Sequence, residues 1–407
     1  MDARDTGDIE TGTSVTVTIK DIGPLLGADE ALTHQIIDTF AVLSQSDYTW
    51  TEKIWASIAR SDGALQIDFG LGKYQNRGII DGFGGVSRGS EQWTVRASRE
   101  LRLAPEEMTI GPVRYEIIEP LRKVRFVLEP NDVQPISFDV VLSGVTPPFF
   151  EDRNFSRNPA SNRVDMNVVR YHQGGWTTGT VTIDGHTEHL GEGEWFGFRD
   201  HSWGVRQGIG DQPRDLIAGP ITAAQSGRSM LNWMPAFFRR PDGSHYETAV
   251  FLLRLQAWTM HGAYINDAQG RQTPARSVDP RLRYDPRTRV ITGGELILTM
   301  DDGEQRVIEV ERLGGLGGSG FFLKTAGYGN WAGFSHGSWK GPLEVSGEHI
   351  ADCLDDEHLA ALGQFRDNPV RVRDGDAVGY GILESVIRGV WPELGLTAES
   401  DWPEGFG

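Results

Sequence analysis

The densest run of reactive side chains is Arg199-Asp200-His201-Ser202-Trp203-Gly204, which sets a cation, a carboxylate, an imidazole, a hydroxyl and an indole side by side. Read as a strand from Trp195 to Trp203, period two puts Trp195, Arg199, His201 and Trp203 on one face and Phe196, Phe198, Asp200 and Ser202 on the other. Asp200 then stands among aromatic neighbours. A carboxyl in that setting loses hydration, its pKa rises, and it can hold a proton near neutral pH as a general acid must. Two other arrangements stay open: Asp200 caps a turn, or it pairs with Arg199 or Arg206. A bulge near Gly197 would also shift the phase.

A second group follows downstream, with His336, Trp339 and Lys340, then Glu348-His349 and Tyr380-Gly-Ile-Leu-Glu384. The window Trp331 to Trp339 can be laid over Trp195 to Trp203 without a gap, matching Trp, Gly, Phe, Ser and Trp, while His201 and His336 miss each other by one position. Two related β-units are the natural inference. A cleft in which Trp203 and Trp339 converge would be aromatic and mostly dry, suited to an apolar ligand.

Other motifs carry less. Gly315-Leu-Gly317-Gly-Ser-Gly320 matches a dinucleotide fingerprint as a string, but Phe321-Phe-Leu-Lys324 after it reads as strand rather than helix, so a flexible hairpin is expected. His186 and His189 follow the Asp184-Gly185 turn, and two imidazoles alone leave a zinc site incomplete, so no metal site is expected.

The elements that must position these residues are mostly strands. Val124, Phe126 and Leu128 alternate with Arg125, Val127 and Glu129, and Val181 and Ile183 alternate with Thr180, Thr182 and Asp184. Further strands are expected at Thr51 to Ile58, Val164 to Val169, Thr248 to Leu255, Arg306 to Glu311 and Ile382 to Ile387. One amphipathic helix is expected near the start, where Leu32, Ile36, Phe40 and Leu43 follow Asp29. With 51 glycines and few helical patterns, antiparallel sandwiches or barrels fit better than a parallel α/β sheet.

The 407 residues suffice for two domains with cores of their own. A formal charge of −18, from 39 Lys+Arg against 57 Asp+Glu, would repel a phosphate backbone or an anionic membrane surface, so nucleic acid is excluded as a partner. Cys353 is the lone cysteine and reads as a small buried hydrophobe. No apolar run is long enough for a spanning helix, and the acidic, Thr-rich stretch from Met1 to Lys20 does not read as a secretory signal, so a cytoplasmic address is expected.

Three stretches together resemble proteins of the carotenoid 1,2-hydratase and hydroxyneurosporene synthase superfamily, in an uncharacterised branch of it. They are Phe69-Gly-Leu-Gly-Lys-Tyr74 with Thr94-Val-Arg-Ala-Ser-Arg99, then Arg199-Asp-His-Ser-Trp-Gly-Val-Arg206, and His336-Gly-Ser-Trp-Lys-Gly-Pro342 with Gly347-Glu348. The resemblance runs from about Tyr48 to Gly389. It implies two tandem lipocalin-like antiparallel β-barrel or sandwich domains with a ligand pocket near their junction, and with the helix above, a division into residues 1–47, 48–206 and 207–407. The hydratase acid carries over to Asp200, with His201 and Trp203 beside it. The expected chemistry is cofactor-independent addition of water to an alkene of an apolar, isoprenoid-like substrate, or the reverse dehydration. Asp200 would give the proton and His201 or His336 would manage the water, while Trp195, Arg199, Trp203, Trp339 and Glu384 would contact the substrate. A cofactor-free cyclase or isomerase of a polyene or polyketide-like chain, and a carrier of an apolar ligand without turnover, stay open, as does a homodimer.

Overall fold

The computed structural model describes Glu30 and residues 45–101, 107–158, 161–211, 227–255 and 258–403. The expected helix at Leu32 to Leu43 lies outside the described residues.

The first half supplies β1 (Trp50–Arg60), β2 (Gln66–Tyr74), β3 (Ile79–Arg88), β4 (Glu91–Glu100), β5 (Thr109–Ile110), β6 (Val113–Glu119) and β7 (Lys123–Leu128). It continues with β8 (Ile136–Gly144), β9 (Phe149–Phe150), β10 (Asn154–Arg157), β11 (Val164–Ile183), β12 (His186–Leu190) and β13 (Trp195–Val205). The second half supplies β14 (Ser229–Arg239), β15 (His245–Leu255), β16 (Trp258–Asp267), β17 (Gln272–Tyr284), β18 (Ile291–Met300) and β19 (Gln305–Arg312). After β20 (Phe321–Phe322) and β21 (Leu343–Ile350) come the helix α1 (Asp356–Leu362), β22 (Arg366–Asp374) and β23 (Ala377–Arg388).

Two antiparallel, barrel-like sheets result. The first runs β21-β4-β3-β2-β1-β13-β11-β8-β7-β6-β5 and rolls around one core. The second runs β19-β18-β17-β16-β15-β14-β23-β22 and closes where β22 pairs back to β19. Strand β21 comes from the second half of the chain yet pairs with β4, so the first sheet is completed from a distance.

Turn chemistry matches the sequence: Asp184 and Gly185 both take positive φ, 49° and 76°, as a two-residue hairpin between β11 and β12 requires. Helix α1 is capped by Asp355, whose side chain accepts from the His358 backbone N–H.

Strand β1 is buried at nearly every position because both of its faces are covered. Ile54, Ala56 and Ile58 enter the first core, while Trp55 and Ala59 face the second barrel. From the other side, Met234, Ala236 and Phe238 of β14 fill the second core, and Trp233 and Phe237 point outward to meet the first sheet. The two barrels therefore pack wall to wall along an aromatic seam. Trp55 meets Trp233 edge-on at 5.1 Å, Trp176 meets Phe237 at 5.1 Å, and Phe196 stacks on Tyr380 at 4.6 Å. Such pairs add about 0.5–1.5 kcal/mol each beyond their burial.

The Phe69-Gly-Leu-Gly-Lys-Tyr74 stretch now has a physical reason. Phe69 and Leu71 enter the first core while Gly70 and Gly72 lie on the seam side, where a Cβ would collide with Phe83 and with Tyr74.

The echo between Trp195–Trp203 and Trp331–Trp339 does not extend to conformation. The first window is strand β13, whereas the second is a turn closed by a bridge between Trp331 and Phe334. The Gly315–Gly317 segment is a 3-10 turn whose neighbouring carbonyls, Gly318 and Ser319, accept from the Arg312 guanidinium.

Candidate functional site

The seam carries polar groups at its heart. Strand β13 keeps strict alternation, so Asp200 faces the seam with Phe196 and Phe198. Its nearest charged partner comes from β11: Arg170 Nε lies 3.0 Å from Asp200 Oδ2. The same guanidinium donates to Glu151 Oε1 at 2.8 Å. Glu151 Oε2 lies 2.9 Å from His172 Nε2 and accepts from Trp233 Nε1 at 3.1 Å. Burial pushes the Glu151 carboxyl up, but Arg170 and His172 overcome it and hold it down at about 2.

A second group is a chain of three carboxyls. Asp68 of β2 faces Asp367 of β22, and Asp367 is the cross-strand partner of Glu384 on β23, which in turn pairs with Trp233 on β14. Trp55 Nε1 donates to Asp367 Oδ2 at 3.0 Å. Both carboxyl oxygens of Asp68, and Oδ1 of Asp367, have no donor among the described residues. A proton held between the two carboxyls satisfies these atoms, since neither acid can donate when both are ionised. Burial pushes Asp68 up to about 7; burial and the neighbouring acids push Asp367 and Glu384 well above the carboxylate range. Glu384 is half-buried and forms the outer end of the chain, within the electrostatic reach of Arg170 and Asp200.

A third group closes the other side. Asp81 of β3 accepts from Tyr74 OH at 2.9 Å and from the Gly337 N–H at 2.7 Å, and lies 3.2 Å from His336 Nδ1. This fixes the imidazole edge-on to Tyr328 at 4.6 Å, with Nε2 buried and unpartnered among the described residues. Burial, with Lys53 nearby, pushes His336 down to about 4, so the ring is uncharged at neutral pH.

Of the residues singled out from sequence, Asp200, His336 and Glu384 thus share the seam. The other five do not join them. His201 is on the opposite face of β13, buried inside the first sheet, with Nε2 2.9 Å from Glu52 Oε1 and Nδ1 3.1 Å from Tyr171 OH. Arg199 is beside it, donating to Glu30 Oε1 at 2.8 Å and to Gln173 Oε1 at 2.8 Å. Trp195 is fully buried in the first core, where it has no surface for a substrate. Trp203 lies edge-on to His201 at 5.3 Å and to Phe150 at 6.0 Å. Trp339 is 57% exposed on a loop.

Asp200 differs from expectation too: the aromatic neighbours are present, but an ion pair dominates its surroundings. Sequence reading missed Arg170, Glu151, Asp68, Asp367, Lys53 and Tyr328. The available signal was a charge in the apolar phase of a strand, as with Lys53 two residues before Trp55.

Over residues 26–397 the chain belongs to a family of unknown function, DUF8625. Comparison with curated protein sequences gives no match. Among solved structures, an AttH protein from Nitrosomonas europaea is 13% identical with a TM-score of 0.45, covering 82% of this chain and 92% of that one. Kievitone hydratase from Nectria haematococca is 12% identical with a TM-score of 0.43, over 83% and 89% of the two chains. CghA with Sch210972 is also 12% identical at 0.43, over 83% and 88%.

Proposed function

We propose that the chain is a hydratase or dehydratase that adds water to, or removes it from, an alkene of an apolar, isoprenoid-like substrate held against the seam. The observation that carries this reading is the chain of three clustered carboxyls, Asp68, Asp367 and Glu384, whose proton affinity is raised by burial and mutual proximity and which ends in half-buried Glu384. Alkene protonation needs an acid with raised proton affinity, and Glu384 suits that role better than Asp200, which is tied to Arg170.

In the hydration direction, Glu384 gives its proton to one alkene carbon as the π pair forms the new C–H bond. The positive charge left on the other carbon faces the Asp200 carboxylate and the ring of Trp233, which stabilises a cation through its π-face. Water then attacks that carbon, and the proton it sheds goes to the unpartnered Nε2 of uncharged His336. Return of that proton to Glu384 restores the starting state. Dehydration runs through the same steps in reverse. Every step uses side chains of this chain alone.

The test is turnover of a trisubstituted isoprenoid alkene in heavy-oxygen water. Label in the alcohol product is expected with the native protein and absent with Glu384→Gln. Product without label would instead favour cyclisation or isomerisation, and full activity of Glu384→Gln would remove this residue from the acid role.

A further inference from the structure

Lys53 has a setting that the reaction above leaves unused. On β1 it pairs with Ser202 on one side and Gly72 on the other, so it projects into the seam one rung from Asp200. It is only 2% exposed, and its Nζ lies 4.0 Å from the centre of the Tyr328 ring. Among the described residues it forms no ion pair, and the nearby carboxylates are committed elsewhere. Asp81 is taken by Tyr74, Gly337 and His336, and Asp200 by Arg170. Facing it are the guanidiniums of Arg206 and Arg170, the imidazole of His336 and the Tyr328 phenol. Burial first, and Arg206 next, hold its pKa well below the lysine range, which favours the uncharged, nucleophilic amine. Of the six lysines in the chain, Lys73 is also buried but points to the interior of the first sheet.

We propose that Lys53 is a nucleophile that forms a Schiff base with an aldehyde or ketone group of an apolar substrate at the seam. The amine lone pair attacks the carbonyl carbon, the C–O π pair moves to oxygen, and one N–H proton passes to that oxygen, giving a neutral carbinolamine. A proton from Glu384 turns the hydroxyl into water, which leaves with the C–O bonding pair as the nitrogen lone pair forms the C=N bond. The products are a protonated iminium, a Glu384 carboxylate and one water, and hydrolysis reverses each step. Conjugated to an alkene, the iminium withdraws electrons and opens the distal carbon to attack by water. The substrate class is therefore an α,β-unsaturated carbonyl, or the β-hydroxy carbonyl formed from it. This last step rests on the hydratase reading above, whereas the Schiff base rests on Lys53 alone.

The experiment incubates the full chain with citral, an isoprenoid enal, and sodium cyanoborohydride at pH 7, then maps the reduced adduct by peptide mass spectrometry. Occupancy at Lys53 is expected to exceed that at Lys123, Lys324 or Lys340, because burial favours its free amine. Lys53→Met should lose that adduct while keeping the native circular dichroism spectrum. Should the variant fail to fold, the peptide map of the native protein still decides. Adduct spread over the outer lysines with Lys53 untouched overturns the proposal. An adduct on Lys53 with no heavy-oxygen label in a β-hydroxyl group of any product overturns the hydratase reading and leaves the Schiff base standing, because the carbonyl oxygen exchanges with water through the Schiff base itself.

Discussion

The indole N–H of Trp55 on β1 donates to Oδ2 of Asp367 on β22 at 3.0 Å, a hydrogen bond that crosses from one barrel wall to the other. Its acceptor is the middle member of the carboxyl chain, between Asp68 and Glu384. The packing that holds the barrels together and the raised proton affinity of the carboxyls at their contact are thus parts of one arrangement. The dryness that the aromatic seam creates is what raises the proton affinity of those acids.

Stability should report this raised affinity. Asp68 has a folded pKa raised from 3.8 to about 7, so its contribution favours the folded state fully below pH 3.8 and is lost as pH rises through 7. Asp68→Asn removes the titrating group but keeps its size. Urea unfolding at pH 5 and pH 8 should show the variant gaining on the native protein as pH rises, by about 1.4 kcal/mol for each pH unit between pH 5 and the folded pKa of about 7. An identical pH dependence in both proteins would show that Asp68 is ionised at neutral pH.

Arg170 is the bridge between Asp200 and Glu151, and the two ends should respond differently to its loss. Arg170→Met strands two buried carboxylates and should destabilise by about 3–5 kcal/mol. Asp200→Asn leaves Arg170 paired with Glu151 and should cost about 1–2 kcal/mol. Thermal unfolding of both variants ranks them. In turnover, Asp200→Asn should lower the rate by weakening cation stabilisation while leaving a measurable remainder, unlike Glu384→Gln. If Asp200→Asn abolishes turnover and Glu384→Gln retains it, the roles assigned above are reversed.

The sheets were legible because strand periodicity is local. The alternation read from Trp195 to Trp203 is the alternation β13 adopts, and each segment expected as a strand from Thr51 to Ile387 lies in one except Phe321–Lys324, where only Phe321–Phe322 is strand and Leu323–Ala326 forms a 3-10 turn. The site was only partly legible because its groups converge through packing between distant strands. Asp68 and Asp367 meet across the seam from positions 299 residues apart, and nothing local to either marks the other. Neighbours in sequence misled for the same reason. Asp200 and His201 are adjacent along the chain yet face opposite sides of the wall. The matched Trp331–Trp339 window misled differently: shared residue types there serve a turn that anchors His336 on Asp81.

His336 makes a prediction of opposite sign. Its folded pKa, lowered from 6.5 to about 4, means that its contribution is fully present above pH 6.5 and is lost as pH falls through 4. His336→Gln should therefore be less stable than the native protein at pH 7, and the gap should close by up to about 3 kcal/mol between pH 7 and pH 4. Chemical unfolding across that range measures it. A gap that stays constant would mean that the ring titrates normally.

The return of β21 to the first sheet makes the last prediction. Gly347 pairs with Val95 in the middle of the β21–β4 contact, and a Cβ at this position would overlap the carbonyl oxygen of Thr94. The obstacle is backbone, so no side-chain rotation relieves it. Gly347→Ala should detach or shift the strand, exposing Val95 and Ala97 of the first core and weakening the ion pair of Glu348 with buried Arg96. A loss of about 2–4 kcal/mol is expected, together with faster amide exchange in residues 91–100 than in β14 or β23. If exchange rises equally in both barrels, β21 is a member of one cooperative unit spanning the seam. If it rises in neither, the strand is dispensable to the first sheet.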